Sequence, residues 1–91
     1  MKTVFIVTGE TGALADHRDW AVTAFFEEKR ASVLVEQLNR WCHENRVSPG
    51  VLPENRNQKS LNCPLDPLFR TDFNGTRYYC YSLSVKEPKD P

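Results

Sequence analysis

The stretch Thr3-Val4-Phe5-Ile6-Val7-Thr8 sets Val4 and Ile6 on one face of an extended strand and Phe5 and Val7 on the other. A strand that is apolar on both faces belongs in the middle of a sheet, because a half-covered strand alternates apolar with polar residues. Gly9-Glu10-Thr11-Gly12 ends this strand, and a polar connection through Asp16-His17-Arg18-Asp19 leads to a second β-rich run, Trp20 to Phe26. The two strands pair as a hairpin with a long loop. Strict alternation in the second strand predicts Trp20, Val22, Ala24 and Phe26 on one side, and Ala21, Thr23 and Phe25 on the other.

From Glu27 the period becomes helical. Ala31, Leu34, Val35, Leu38, Trp41 and Cys42 fall in one stripe, which predicts a helix running to Asn45 with Lys29, Ser32, Glu36 and Arg40 opposite and Val33 as the exception. Glu27 and Glu28 at its start and Arg40, His43 and Arg46 near its end suit the helix dipole. The segment 46–67 is irregular, punctuated by Pro49, Gly50, Pro53, Pro64 and Pro67, and its scattered Val47, Val51, Leu52, Leu61 and Leu65, with Leu68 and Phe69 just beyond, predict that parts of it lie back on the domain. Thr76 to Lys86 reads as a strong strand, with Tyr79, Tyr81, Leu83 and Val85 on one face and Tyr78, Cys80, Ser82 and Ser84 on the other. Arg70 to Phe73 is a candidate fourth strand across Asn74-Gly75, the dipeptide suited to a type I′ turn. Residues 88–91 read as a flexible tail.

These elements predict an α+β domain over residues 1–91: a mostly antiparallel sheet of three to four strands, ββαβ or ββαββ, with one helix on one face. A helical crossover gives the order 2-1-3 with the first strand central. One helix cannot cover both faces of a sheet. Tyr79 and Tyr81 are assigned to the core with Leu83 and Val85, and the face left open is expected to carry Phe5, Val7, Phe25, Tyr78 and Cys80, to be covered by the irregular segment or by another chain.

Size and charge narrow the function. The 91 residues carry 12 basic and 12 acidic side chains and are 40% apolar. A chain of this length buries about 60–65% of its unfolded surface, which leaves little room for a deep active-site cavity. Zero net charge is unlike the basic footprint of most nucleic-acid binders and unlike an acidic imitator of DNA. Three cysteines, Cys42, Cys63 and Cys80, cannot all pair within one chain and read as reduced thiols of a cytoplasmic protein. The apolar run after Lys2 is too short for a signal peptide, and nothing approaches the ~18 apolar residues of a membrane span.

The chain resembles a family of small uncharacterised bacteriophage and prophage proteins. The resemblance is carried by the initial Val4-Phe5-Ile6-Val7-Thr8-Gly9, Asp16-His17-Arg18-Asp19-Trp20 with Ala24-Phe25, the helix, Pro64-Leu65-Asp66-Pro67, Asp72-Phe73-Asn74-Gly75-Thr76 and Tyr78-Tyr79. It covers most of the chain except Arg46 to Cys63. No activity attaches to the family; the resemblance implies a phage-encoded product that acts in the host cytoplasm, where small early phage proteins commonly bind and redirect or inhibit host machinery, defence systems included.

Three constellations could carry chemistry. Cys42, His43, Cys63 and Cys80 offer a Cys₃His set, but the two-residue cysteine spacing of zinc sites is absent, and Cys42 and His43 diverge by about 100° on a helix. Packed thiols are the better reading. Asp16, His17 and Asp19 have acid–base potential, yet no nucleophile motif or phosphate-binding loop completes a site. Arg70, Arg77, Tyr78, Tyr79 and Tyr81 interleave cations with aromatics, as single-strand binding platforms do. The expectation is therefore a non-enzymatic protein-binding module without cofactor or metal, probing its partner with Asp16, His17, Arg18, Asp19, Phe25, Arg56, Phe69, Arg70, Arg77 and Tyr78. A host protein is the expected partner and a membrane is not. Self-association through Phe25 and Tyr78 is a related reading, and a single-stranded nucleic-acid binder is the alternative.

Overall fold

A computed structural model describes residues 2–12, 14–51, 62–72 and 74–86. Lys2–Thr11 forms β1, a 3₁₀ turn covers Leu14–Asp16, Arg18–Phe25 forms β2, Glu28–Glu44 forms the helix α1, and Thr76–Val85 forms β3. The sheet order is β2-β1-β3 with both pairings antiparallel. This is the ββαβ arrangement that the doubly apolar first strand implies. Arg70, Thr71 and Asp72 adopt no strand, so the sheet has three strands in the described residues. The tail 88–91 and the loop residues Leu52, Arg56 and Leu61 lie outside them.

The helix buries the stripe read from its period: Ala31, Leu38 and Cys42 are fully buried and Leu34, Val35 and Trp41 are half-buried, while Val33 is exposed. Glu27 caps its start without a side-chain hydrogen bond. Its end is a Schellman turn: Val47 N–H donates to Cys42 O at 2.9 Å and Arg46 N–H to His43 O at 3.2 Å, with Arg46 at φ 59°. That turn drops Val47 into the core beside Cys42. Val47 O then accepts from Thr76 N–H, which ties the helix exit to the start of β3.

The helix packs chiefly on β3 and β1. It covers the face carrying Phe5, Val7, Tyr78 and Cys80, and Phe25 also packs against this core. The open face is the opposite one, so the expected assignment is inverted. Tyr79, Tyr81, Leu83 and Val85 are 37%, 46%, 49% and 43% exposed, whereas Tyr78 is 3% exposed. Polar satisfaction favours the face of Tyr78 over the more apolar face of Tyr79 to Val85. The Tyr78 hydroxyl donates to Asp66 Oδ2 at 2.7 Å, and Trp20 Nε1–H donates to the same oxygen at 2.8 Å. Asp66, from the irregular segment, is buried, and its Oδ1 accepts the Leu68 N–H at 3.0 Å. Gly9 makes room: a Cβ there would meet Trp20 at 2.7 Å and Tyr78 at 2.8 Å. The two rings meet edge-on, 6.3 Å apart. Asn39 completes the dock by exchanging two hydrogen bonds with the backbone of Tyr78, at 2.8 and 2.9 Å.

Two further corrections concern local geometry. Val7 pairs with Thr23 but Thr8 with Ala21, so Val22 is an extra, bulged residue. The bulge breaks the strict alternation expected in β2: Trp20, Val22 and Phe25 all pack on the core, and Phe26, just past the strand, is 71% exposed. No type I′ hairpin forms at Asn74-Gly75. Gly75 N–H bonds Asp72 O at 3.0 Å, and of these two turn residues only Gly75 has positive φ, at 85°. Gly75 is the last residue of this turn and sits against the Ser48 backbone, where a side chain would collide.

Candidate docking face

Side chains of alternate residues bring one set of groups to the uncovered side of the sheet. Val4 lies opposite Leu83, Ile6 opposite Tyr81, Thr8 opposite Tyr79 and Glu10 opposite Arg77. On the other flank Ile6 faces Ala24, Thr8 faces Ala21 and Glu10 faces Asp19. The result is an apolar stripe of Val4, Ile6, Tyr79, Tyr81, Leu83 and Val85 that ends in charged residues. The Tyr79 and Tyr81 rings lie 6.4 Å apart with planes tilted by 35°. Partial burial raises the Tyr79 hydroxyl pKa above its usual value, and the neighbouring Glu10 and Asp19 carboxylates add to it.

Glu10 organises the charged end. Its Oε1 accepts from Arg77 Nε, and His17 Nε2 lies 3.2 Å from its Oε2. Burial pushes the Glu10 carboxyl up, but hydrogen bonds from His17 and Arg77, with their charges, outweigh it and hold the net value below the ordinary one. Sequence reasoning singled out His17 and Arg77 and missed Glu10, which joins them. The signal for it was its position: four residues beyond Ile6 on the same pleat face. These three line a pocket of about 300 Å³ with Pro49 and Asn74. A second pocket, of about 360 Å³, gathers Asp16, Arg18 and Arg70 with Thr11, Thr71 and Asp72.

The remaining expected site residues are dispersed. Asp19 is exposed beside Glu10. Arg70 reaches over the Trp20 ring at 5.9 Å. Phe69 is half-buried, edge-on to Trp41 at 4.9 Å. Phe25 and Tyr78 face the helix side, so the surface expected from them is not presented. Of the interleaved set Arg70, Arg77, Tyr78, Tyr79 and Tyr81, Tyr78 is buried, and the aromatics beside Arg77 that reach solvent are Tyr79 and Tyr81. Arg56 lies outside the described residues. Cys42 and Cys63 are buried and Cys80 is half-buried. Burial, with Cys63 and Asp66 nearby, pushes the Cys42 thiol up to about 12.

Compared with family models, curated proteins and solved structures, the chain matches none. No helix among the described residues is long and apolar enough to cross a membrane.

Proposed function

We propose that this chain is a non-enzymatic protein-binding module that docks a partner on the open face of its sheet. The observation that carries the reading is the exposed stripe Tyr79, Tyr81, Leu83 and Val85, bordered by Glu10, Arg77 and Asp19. Contiguous apolar surface with a polar rim marks interaction sites, and tyrosine is among the residues that anchor them. A protein suits this face better than a nucleic acid does. Arg77 is engaged by Glu10, two carboxylates border the tyrosines, and Lys2, at the far end of the stripe, lies over the Phe26 ring, so the tyrosines have no positive track beside them to follow a phosphate backbone. Taken with the resemblance to phage proteins, the partner proposed is a host protein in the cytoplasm, a defence component among the candidates, whose activity the module modulates or inhibits.

Leu83→Asp tests the reading, because Leu83 is surface-exposed and its substitution leaves the core intact. Capture from host lysate, followed by titration of the purified partner, should show an interaction made by the wild-type chain and lost by Leu83→Asp, with circular dichroism unchanged. A partner bound equally well by both proteins overturns the assignment of this face.

A further inference from the structure

Among the described residues, the outer edge of β3 is hydrogen-bonded at one end and unpaired at the other. Thr76 N–H bonds Val47 O, and Tyr78 bonds the Asn39 amide, both on the side away from β1. In an antiparallel ladder every second residue turns its backbone groups to the same side. Cys80, Ser82 and Ser84 therefore point their N–H and C=O groups outward too, and no hydrogen bond from another described residue meets them. Natural sheets guard such edges with charges, prolines or bulges. The outer strand β2 has Arg18, Asp19 and the bulge at Val22, whereas Tyr78 through Val85 has no charge, proline or bulge.

We propose that a second copy of this chain pairs with this edge, antiparallel, about a twofold axis at Ser82, to form one continuous six-stranded sheet. The register follows from where the edge is free: Asn39 closes it at Tyr78 and β3 ends at Val85, so the midpoint of the free outward residues is Ser82. The twofold sets Ser82 opposite itself and Cys80 opposite Ser84 of the second copy, each pair exchanging N–H···O=C bonds. On the open face it sets Tyr81 opposite Leu83 and Tyr79 opposite Val85 of the second copy, cross-strand pairs of the stabilising aromatic–aliphatic kind. An isologous contact requires a surface complementary to itself. This segment meets that requirement because its apolar side chains match across the axis and no charge meets its like. The pairing concerns the edge of the sheet and holds whether or not a partner docks on the face.

Sedimentation equilibrium and amide hydrogen exchange on the full chain test it together. The mass should rise from 10.5 kDa to twice that value with concentration, and the Cys80, Ser82 and Ser84 amides should become about tenfold or more protected over the same range. Ser82→Pro removes the central outward donor without touching a β1–β3 bond and should leave a folded monomer. Should that variant fail to fold, the exchange measurement on the unaltered chain decides alone. A monomer at every concentration overturns the pairing, as does a dimer whose three amides stay unprotected, which indicates association through the face. An unaltered chain that stays a folded monomer and still binds a partner through Leu83 removes this proposal and leaves the proposed function standing.

Discussion

Replacing Asp66 with alanine should remove most of the stability of this domain. Asp66 accepts hydrogen bonds from Trp20, Tyr78 and Leu68, at 2.8, 2.7 and 3.0 Å. Bonds to a charged acceptor contribute about 1.5–3 kcal/mol each, and a buried donor left without a partner costs about 1–3 kcal/mol. Leu68 is exposed and water can replace its partner, so the loss comes from the Tyr78 hydroxyl and, in part, the half-buried indole of Trp20. Together they predict a loss of about 3–5 kcal/mol, reduced to about 3 kcal/mol by release of the carboxylate from its own burial. Small domains hold about 5 kcal/mol or less, and a loss of 3 kcal/mol lowers the melting temperature by about 12–24 °C. Urea unfolding followed by Trp20 and Trp41 fluorescence measures it, with Tyr78→Phe as a companion costing about 1–2 kcal/mol. Because the two residues share one bond, the double variant should lose less than the sum of the single losses. A loss below about 0.5 kcal/mol for Asp66→Ala, or full additivity, refutes the reasoning.

The same physics yields other expectations. Gly9→Ala drives a methyl group into the Trp20 and Tyr78 rings and should cost about 1–3 kcal/mol by thermal unfolding. Arg46→Gly relieves a left-handed residue in the Schellman turn and should raise stability by about 0.5–1 kcal/mol in the same assay. The Thr8 hydroxyl is buried without a hydrogen-bond partner among the described residues, so Thr8→Val should stabilise the fold by about 1 kcal/mol in urea. Alkali should destabilise the domain. Burial raises the Cys42 thiol from 9.0 to about 12, so its contribution is whole below pH 9 and is lost as pH rises towards 12, because the unfolded chain releases the proton first. The slope for one thiol is about 1.4 kcal/mol per pH unit, and Cys42→Ala should flatten it between pH 9 and 10. Tyr78, raised by burial and by its bond to Asp66, adds to the slope above pH 10.

Much of the fold was legible because periodicity is local. The stripe from Ala31 to Cys42 and the doubly apolar Val4 to Val7 implied one helix and a central first strand, and order 2-1-3 followed. Which face the helix would take was not legible, since β1 is apolar on both faces, β3 is the more apolar on its Tyr79 to Val85 face, and the choice rests on Asp66, which is 46 residues from Trp20 and 12 from Tyr78. Periodicity carries no information about such a partner. The exposed stripe was therefore read as core, and the buried Tyr78 as surface. The candidate site was half visible: His17 and Arg77 stood out by residue type, while Glu10 needed the strand register to be placed between them.

The bulge at Val22 lets β2 turn two aromatics inward although they stand an odd number of residues apart. It joins two half-strands of opposite parity, one anchored by Trp20 over Gly9 and the other by Phe25 across from Phe5. Deleting Val22 would leave Trp20 and Phe25 four residues apart, the same spacing as Gly9 and Phe5 on β1, so regular alternation would keep both aromatics inside. Loss of a single codon there should therefore cost the packing of Val22 and the local twist of the bulge while both aromatic anchors keep their places.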